Sequence, residues 1–351
     1  MKILRPLSIV LCVTWTAGAA AQISLTPSGI EPPAQKPSSM PKPKSPAPKK
    51  PAAATATPKP ATPTVTPAPV PDDPNLDLVY GAYQRGMYKT AFDLATKRAQ
   101  DSGDPKAMTM LGELYSNGMG VKRDYAKAVE WYRRGADGGD REAMFALAML
   151  RLAGRGGPAN PEEATRLLAS SAKLGNPKAA YNLALLYLDG QTLPQDLKRA
   201  AELFRLAADA GNPEAQYALA TFYKEGTGVP KDMEKSVRLL QAAALSDNVD
   251  AEVEYAIALF NGNGTPKNES AAVALLRKAA KQNSPIAQNR LARVLTSGQG
   301  APIDKIEGFK WHLVAKTAGK GDPMLDEALA QLPPQDRASA EAAARKWLGA
   351  K

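Results

Sequence analysis

The chain is predicted to be all-α, an α/α solenoid of about six 36-residue helix–turn–helix repeats closed by helical caps. Three observations carry the prediction. Six segments align without a gap at a period of 36 residues, starting at Gly103, Gly139, Gly175, Gly211, Asp247 and Asn283. Position 5 of the repeat is always alanine (Ala107, Ala143, Ala179, Ala215, Ala251, Ala287) and position 16 always glycine (Gly118, Gly154, Gly190, Gly226, Gly262, Gly298). No strand-like alternation of apolar and polar residues breaks the helical spacing between those columns.

Residues 1–21 read as an export leader. Lys2 and Arg5 open it, an apolar stretch runs from Leu7 to Trp15, and Ala19 and Ala21 place cleavage before Gln22. The apolar stretch is shorter than the ~20 residues that span a bilayer, so no stable membrane insertion is expected. Cys12 lies inside that stretch behind the bulky Val10-Leu11, which argues against a lipoprotein; cleavage would leave no cysteine.

Residues 22–75 form a Pro/Ala/Lys-rich linker, as in Pro41-Lys-Pro-Lys-Ser-Pro-Ala-Pro-Lys-Lys50. Such a segment buries too little apolar surface to offset its ordering entropy, and its prolines favour extended polyproline II, so it is expected to stay disordered. Two readings stand side by side, a passive tether and a loose contact between its lysines and peptidoglycan or polysaccharide.

Residues 76–102 are expected to be a half-repeat cap, with Gly81-Ala-Tyr-Gln-Arg-Gly86 followed by a helix from Lys89. The six repeats cover 103–318. Position 2 offers an N-cap (Asp104, Asp140, Asn176, Asn212, Asn248, Ser284), often followed by proline, which starts a first helix, A. Small or apolar residues at positions 5, 9, 10, 12 and 13 give helix A one buried face, and the position-16 glycine ends it. Position 22 (Asp124, Asn160, Asp196, Asp232, Asn268, Asp304) caps a second helix, B, whose buried face uses positions 26, 29, 30 and 33. Residues 319–351 finish the chain as a C-terminal helical cap, with helices over Met324–Ala330 and Pro334–Leu348.

Composition removes several kinds of function. The net charge of +10 divides into +2 on the leader, +3 on the linker and about +5 spread through the rest with both signs interspersed. No basic stripe with interleaved aromatics remains, so nucleic acid is not an expected partner. One histidine, His312, and one cysteine supply too few groups for a zinc site, thiol chemistry or an imidazole triad. His312 falls at position 30, where other repeats place Tyr132, Leu168, Phe204, Leu240 and Leu276, and is expected to be a packed core residue. Glycine-rich turns such as Gly262-Asn-Gly264 lack the Gly-Lys-Ser/Thr of a phosphate loop. No catalytic, metal or cofactor site is expected, and no enzyme.

The pattern Ala107…Leu111-Gly112…Tyr115…Gly118…Gly120-Val121…Asp124…Ala128…Trp131…Gly135-Ala136…Gly139 resembles the Sel1-like repeat family, a relative of tetratricopeptide repeats. Departures are Arg151 for tyrosine in the second repeat, and Tyr255 for leucine and Leu259 for tyrosine in the fifth; they predict local repacking. The resemblance implies a right-handed solenoid doing adaptor or scaffold work in protein complexes, and exported bacterial members regulate envelope signalling. With the leader, it places the chain in the periplasm.

In tetratricopeptide arrays helix A lines the concave side, and matching columns transfers the groove-facing set to positions 4, 7, 11, 14 and 15. Read across the repeats, that set is apolar in the middle: Phe145, Met149, Leu152, Tyr181, Leu185, Leu188, Tyr217, Ile257 and Phe260. Lys178, Asp189, Glu214, Lys224, Glu225 and Arg293 surround it. Either the position-7 and position-11 side chains pack between neighbouring A helices, or the stripe accepts a partner protein or peptide, with a sensor-kinase ectodomain among the partners the resemblance suggests.

Overall fold

The structure, a computed structural model, describes residues 77–349; the expected leader and linker lie outside the described residues. Within them the regular elements are sixteen α-helices and no strand. A short pair comes first, α1 (Leu78–Gln84) and α2 (Tyr88–Ser102). Three full A/B pairs follow: α3 (Pro105–Asn117) with α4 (Tyr125–Asp137), α5 (Arg141–Leu152) with α6 (Pro161–Lys173), and α7 (Pro177–Asp189) with α8 (Leu197–Asp209). Three more are α9 (Pro213–Glu225) with α10 (Met233–Leu245), α11 (Val249–Asn261) with α12 (Glu269–Lys281), and α13 (Pro285–Ser297) with α14 (Lys305–Thr317). The chain then runs through α15 (Pro323–Ala330) and α16 (Pro334–Gly349), the latter packed on α14. From α1 to α14 each helix packs on the one before and the one after, the nearest-neighbour stacking of a solenoid.

The caps account for where each helix starts. Asp104 accepts from the backbone N–H of Lys106, and Asp140, Asn176, Asn212, Asn248 and Ser284 accept from the N–H at position 5. All six position-22 residues accept from the N–H three residues on. Gly118, Gly190, Gly226, Gly262 and Gly298 close their A helices in the left-handed conformation, while α5 stops one residue sooner on Ala153.

A second loop glycine has a tertiary reason. At Gly228, with φ +64°, a methyl group would sit 2.3 Å from the carbonyl oxygen of Leu197, the first residue of the preceding B helix. Gly156 meets the Tyr125 carbonyl at the same distance. The A–B loop therefore lies directly on the start of the previous repeat's helix B, and only glycine leaves room.

The core is a chain of small clusters between successive helices rather than one central mass. Positions 5, 10, 26, 30 and 33 are buried in every repeat. Positions 27 (Val129, Ala201, Val237, Val273, Phe309) and 34 (Ala136, Ala172, Ala208, Ala244, Ala280), which the sequence reading left out, are buried as well. Alanine and glycine at so many contact points let the helices approach closely.

Candidate functional site

Hydrogen bonds between A helices show how these elements form one face. Tyr83 Oη of α1 donates to Glu113 of α3 at 2.8 Å, and Thr109 Oγ1 of α3 donates to Asp140, the cap of α5, at 2.9 Å. Further along, Lys224 Nζ of α9 donates to Glu254 of α11 at 2.7 Å, and Asn289 of α13 donates to the Lys320 carbonyl at 3.1 Å. Position 7 thus reaches the segment that leads into the next helix on this face, position 14 of α9 reaches α11, and position 11 of α3 is reached from α1. At the N-terminal end the same face holds an open cavity of about 290 Å³ between α1, α2, α3 and α5, lined by Tyr80, Lys106, Met110, Glu113 and Glu142 among others.

The expected groove residues divide into three groups. Phe145 and Met149 are buried, at 9% and 2% exposure, and this corrects the expectation that they face a partner. Both belong to a buried cluster that runs from the second to the fourth repeat and includes Leu168 and Ala180. Lys224 and Arg293 are exposed but already engaged: Lys224 by Glu254, which ties the fourth repeat to the fifth, and Arg293 by Asp322, which ties the last repeat to the C-terminal cap. Tyr181, Leu185, Tyr217, Ile257 and Phe260 are half-buried, one edge packed on the core and the other open.

Carboxylates gather around the open edges. Glu214 lies near Tyr181, and Asp250, Glu254 and Glu225 lie near Tyr217. Burial first and these negative charges second push the Tyr217 hydroxyl up to about 12, and the same two causes raise Tyr181. The sequence reading missed Asp250 and Glu254. Their signal was present at positions 4 and 8, and reading the next A helix alongside each tyrosine would have found it.

His312 is fully buried on α14, as expected for position 30, and its Nε2 lies 2.8 Å from Asp326 Oδ1 of α15. Lys316 donates to the same oxygen at 2.7 Å. That arrangement fastens the C-terminal cap. Among the described residues no group of three His, Cys, Asp or Glu is placed to hold a metal ion, and no helix is long and apolar enough to cross a membrane.

Six successive windows of the chain, residues 105–140, 141–176, 177–212, 213–248, 249–284 and 285–320, match the family model described as Sel1 repeat. No curated protein matches the chain. A protective antigen of uropathogenic Escherichia coli strains, displaying an SLR fold, superposes with a TM-score of 0.68 at 24% identity over 77% of this chain. This chain spans about 60% of that antigen's length. A Sel1 repeat protein of Oxalobacter formigenes superposes at 0.58 and 24% identity, covering 68% of this chain and 94% of that one. The likeness at these identities is one of fold.

Proposed function

The chain belongs to the Sel1 repeat family, whose arrays typically mediate contacts between proteins, and from that premise we propose that it is a non-enzymatic periplasmic scaffold or regulator holding a protein or peptide on its A-helix face. One observation carries the reading. Tyr181, Leu185, Tyr217, Ile257 and Phe260 keep an open apolar edge in the middle of a face whose ends are stapled by hydrogen bonds. Half-buried aromatics of this kind anchor amphipathic or extended peptides, because they are held rigid on one side and desolvate fully when covered.

Export supports the location: residues 1–21 carry a basic start, a short apolar stretch and a small-residue cleavage site. In that compartment a sensor-kinase ectodomain is a fitting partner, and envelope or exopolysaccharide signalling a fitting process. A second reading, association with peptidoglycan or polysaccharide, is favoured by the linker, which places six lysines and no acid between Pro32 and Pro71.

Capture from an envelope fraction with the full chain lacking residues 1–21 tests the first reading. Tyr181→Ala with Tyr217→Ala should weaken partner capture about tenfold or more, the scale of losing anchors worth over 1 kcal/mol each, with unchanged helical circular dichroism. Capture that survives both changes but disappears on deleting residues 22–75 would favour the envelope-polymer reading instead.

A further inference from the structure

The open middle of the A-helix face has a definite chemistry. Two half-buried tyrosines, Tyr181 and Tyr217, stand among Glu214, Glu225, Asp250 and Glu254. Glu254 is engaged by Lys224; Glu214, Glu225 and Asp250 form no ion pair among the described residues. Lys178 is the other cation of this stretch, so the face is left net negative around its aromatic rims. An occupant should therefore bring apolar, rigid groups for the tyrosines and positive charges between them.

The chain carries such a segment itself. Between Pro32 and Pro71 it has six lysines and no acid, and Pro41-Lys-Pro-Lys-Ser-Pro-Ala-Pro-Lys-Lys-Pro51 alternates the two residue types closely. Prolines pre-set an extended polyproline II backbone with no internal hydrogen bonds, so little conformational freedom is lost on docking, and tyrosine-lined grooves accept its prolines. The distance is within reach. A chain of 25 residues, the number between Pro51 and Asp77, has a maximum reach of about 80 Å at ~3.1 Å per residue. From α1 to α9 is four A-helix steps, about 40 Å at ~10 Å per packed helix.

We propose that the tract Pro41–Pro51 docks on this chain's own A-helix face, prolines against Tyr181 and Tyr217 and lysines against Glu214, Glu225 and Asp250. The proposal rests on the docking-face reading above and names the occupant of that face when no partner is present. Exposed lysine–carboxylate contacts are each weak, but a tethered segment sits at an effective concentration in the millimolar range, enough to populate a weak complex. A partner then binds by displacing the tract, and salt loosens the tract by screening it.

Zero-length carbodiimide cross-linking of the full chain lacking residues 1–21, read by mass spectrometry, tests this. The expected result is that links from Lys42, Lys44, Lys49 and Lys50 concentrate on Glu214, Glu225 and Asp250, and fall at least fivefold in 0.5 M salt. Changing the four lysines to glutamine, which leaves the helical array untouched, should strengthen capture of a partner severalfold. Links scattered evenly over exposed carboxylates would overturn the proposal. So would links found between light and heavy copies in an isotope-mixed sample, which would assign the face to a second copy. If tract links are scattered while Tyr181→Ala with Tyr217→Ala still weakens partner capture, the docking face stands and only its self-occupant is lost.

Discussion

Arg151 shows how one residue can leave a repeat pattern without weakening it. At position 13 three of the six repeats place tyrosine, each with a cation from position 25 over the ring: Lys127 over Tyr115 at 5.3 Å, Arg199 over Tyr187 at 5.3 Å and Lys235 over Tyr223 at 5.4 Å. The second repeat exchanges the charges, with Arg151 at position 13 lying 3.0 Å from Glu163 at position 25. Glu163 also meets Arg133 of the previous repeat at 3.3 Å, so one carboxylate serves two guanidinium groups. Arg151 keeps only 11% of its side chain exposed, and removing its partner strands a charge in a dry place. Glu163→Ala should cost about 1–3 kcal/mol in urea unfolding. Arg151→Tyr with Glu163→Lys, which restores the neighbouring arrangement, should recover most of it; no recovery would show that the pair is held by something other than the column it occupies.

At the scale of elements, each helix depends on its cap and on the element it meets next, and the last ones show this most clearly. Helix α14 exposes a B-type face that a seventh repeat would have covered, and α15 and α16 cover it instead. Trp311 of α14 meets Trp347 of α16 edge to face, with ring centres 5.0 Å apart, while Asp326 of α15 binds Lys316 and His312. Lys316 first and His312 second hold the Asp326 carboxyl below the usual carboxylate range. A group whose folded pKa is depressed stabilises above its unfolded value, near 4, and that contribution disappears as pH falls through the folded value. Acidification below about pH 4 should therefore loosen the C-terminal cap, read as a change in Trp311 and Trp347 fluorescence. Asp326→Asn should flatten that acid transition. An unchanged transition in the variant would place the acid-sensitive group elsewhere.

For the whole molecule, nearest-neighbour stacking means that stability is shared out repeat by repeat. Deleting residues 213–248, one complete period, should leave a folded array with the same helical signal per residue. Its denaturant m-value should fall because less surface is exposed on unfolding. Loss of cooperative folding on that deletion would show that the repeats are not interchangeable units. The deletion also removes Tyr217, Glu214 and Glu225, so partner capture should fall with it.

The period, both cap columns and the small-residue contacts were legible in the chain because each is a local requirement that every repeat must meet for itself. Ala107 and its five equivalents had to be small, and Asp124 and its equivalents had to cap, whatever lay next door. Position 18 was harder to read, since Gly228 is needed only because the Leu197 carbonyl of the preceding repeat lies against it. The face followed the same division. Sequence by itself determined which residues belong to the A helices and that their middle is apolar. Only the tertiary structure decided that Phe145 and Met149 are buried, that Lys224 and Arg293 are engaged, and that carboxylates of the next helix surround Tyr217. Burial and pairing across repeats depend on distances between residues some thirty positions apart, which a local pattern does not specify and the packing of neighbouring helices does.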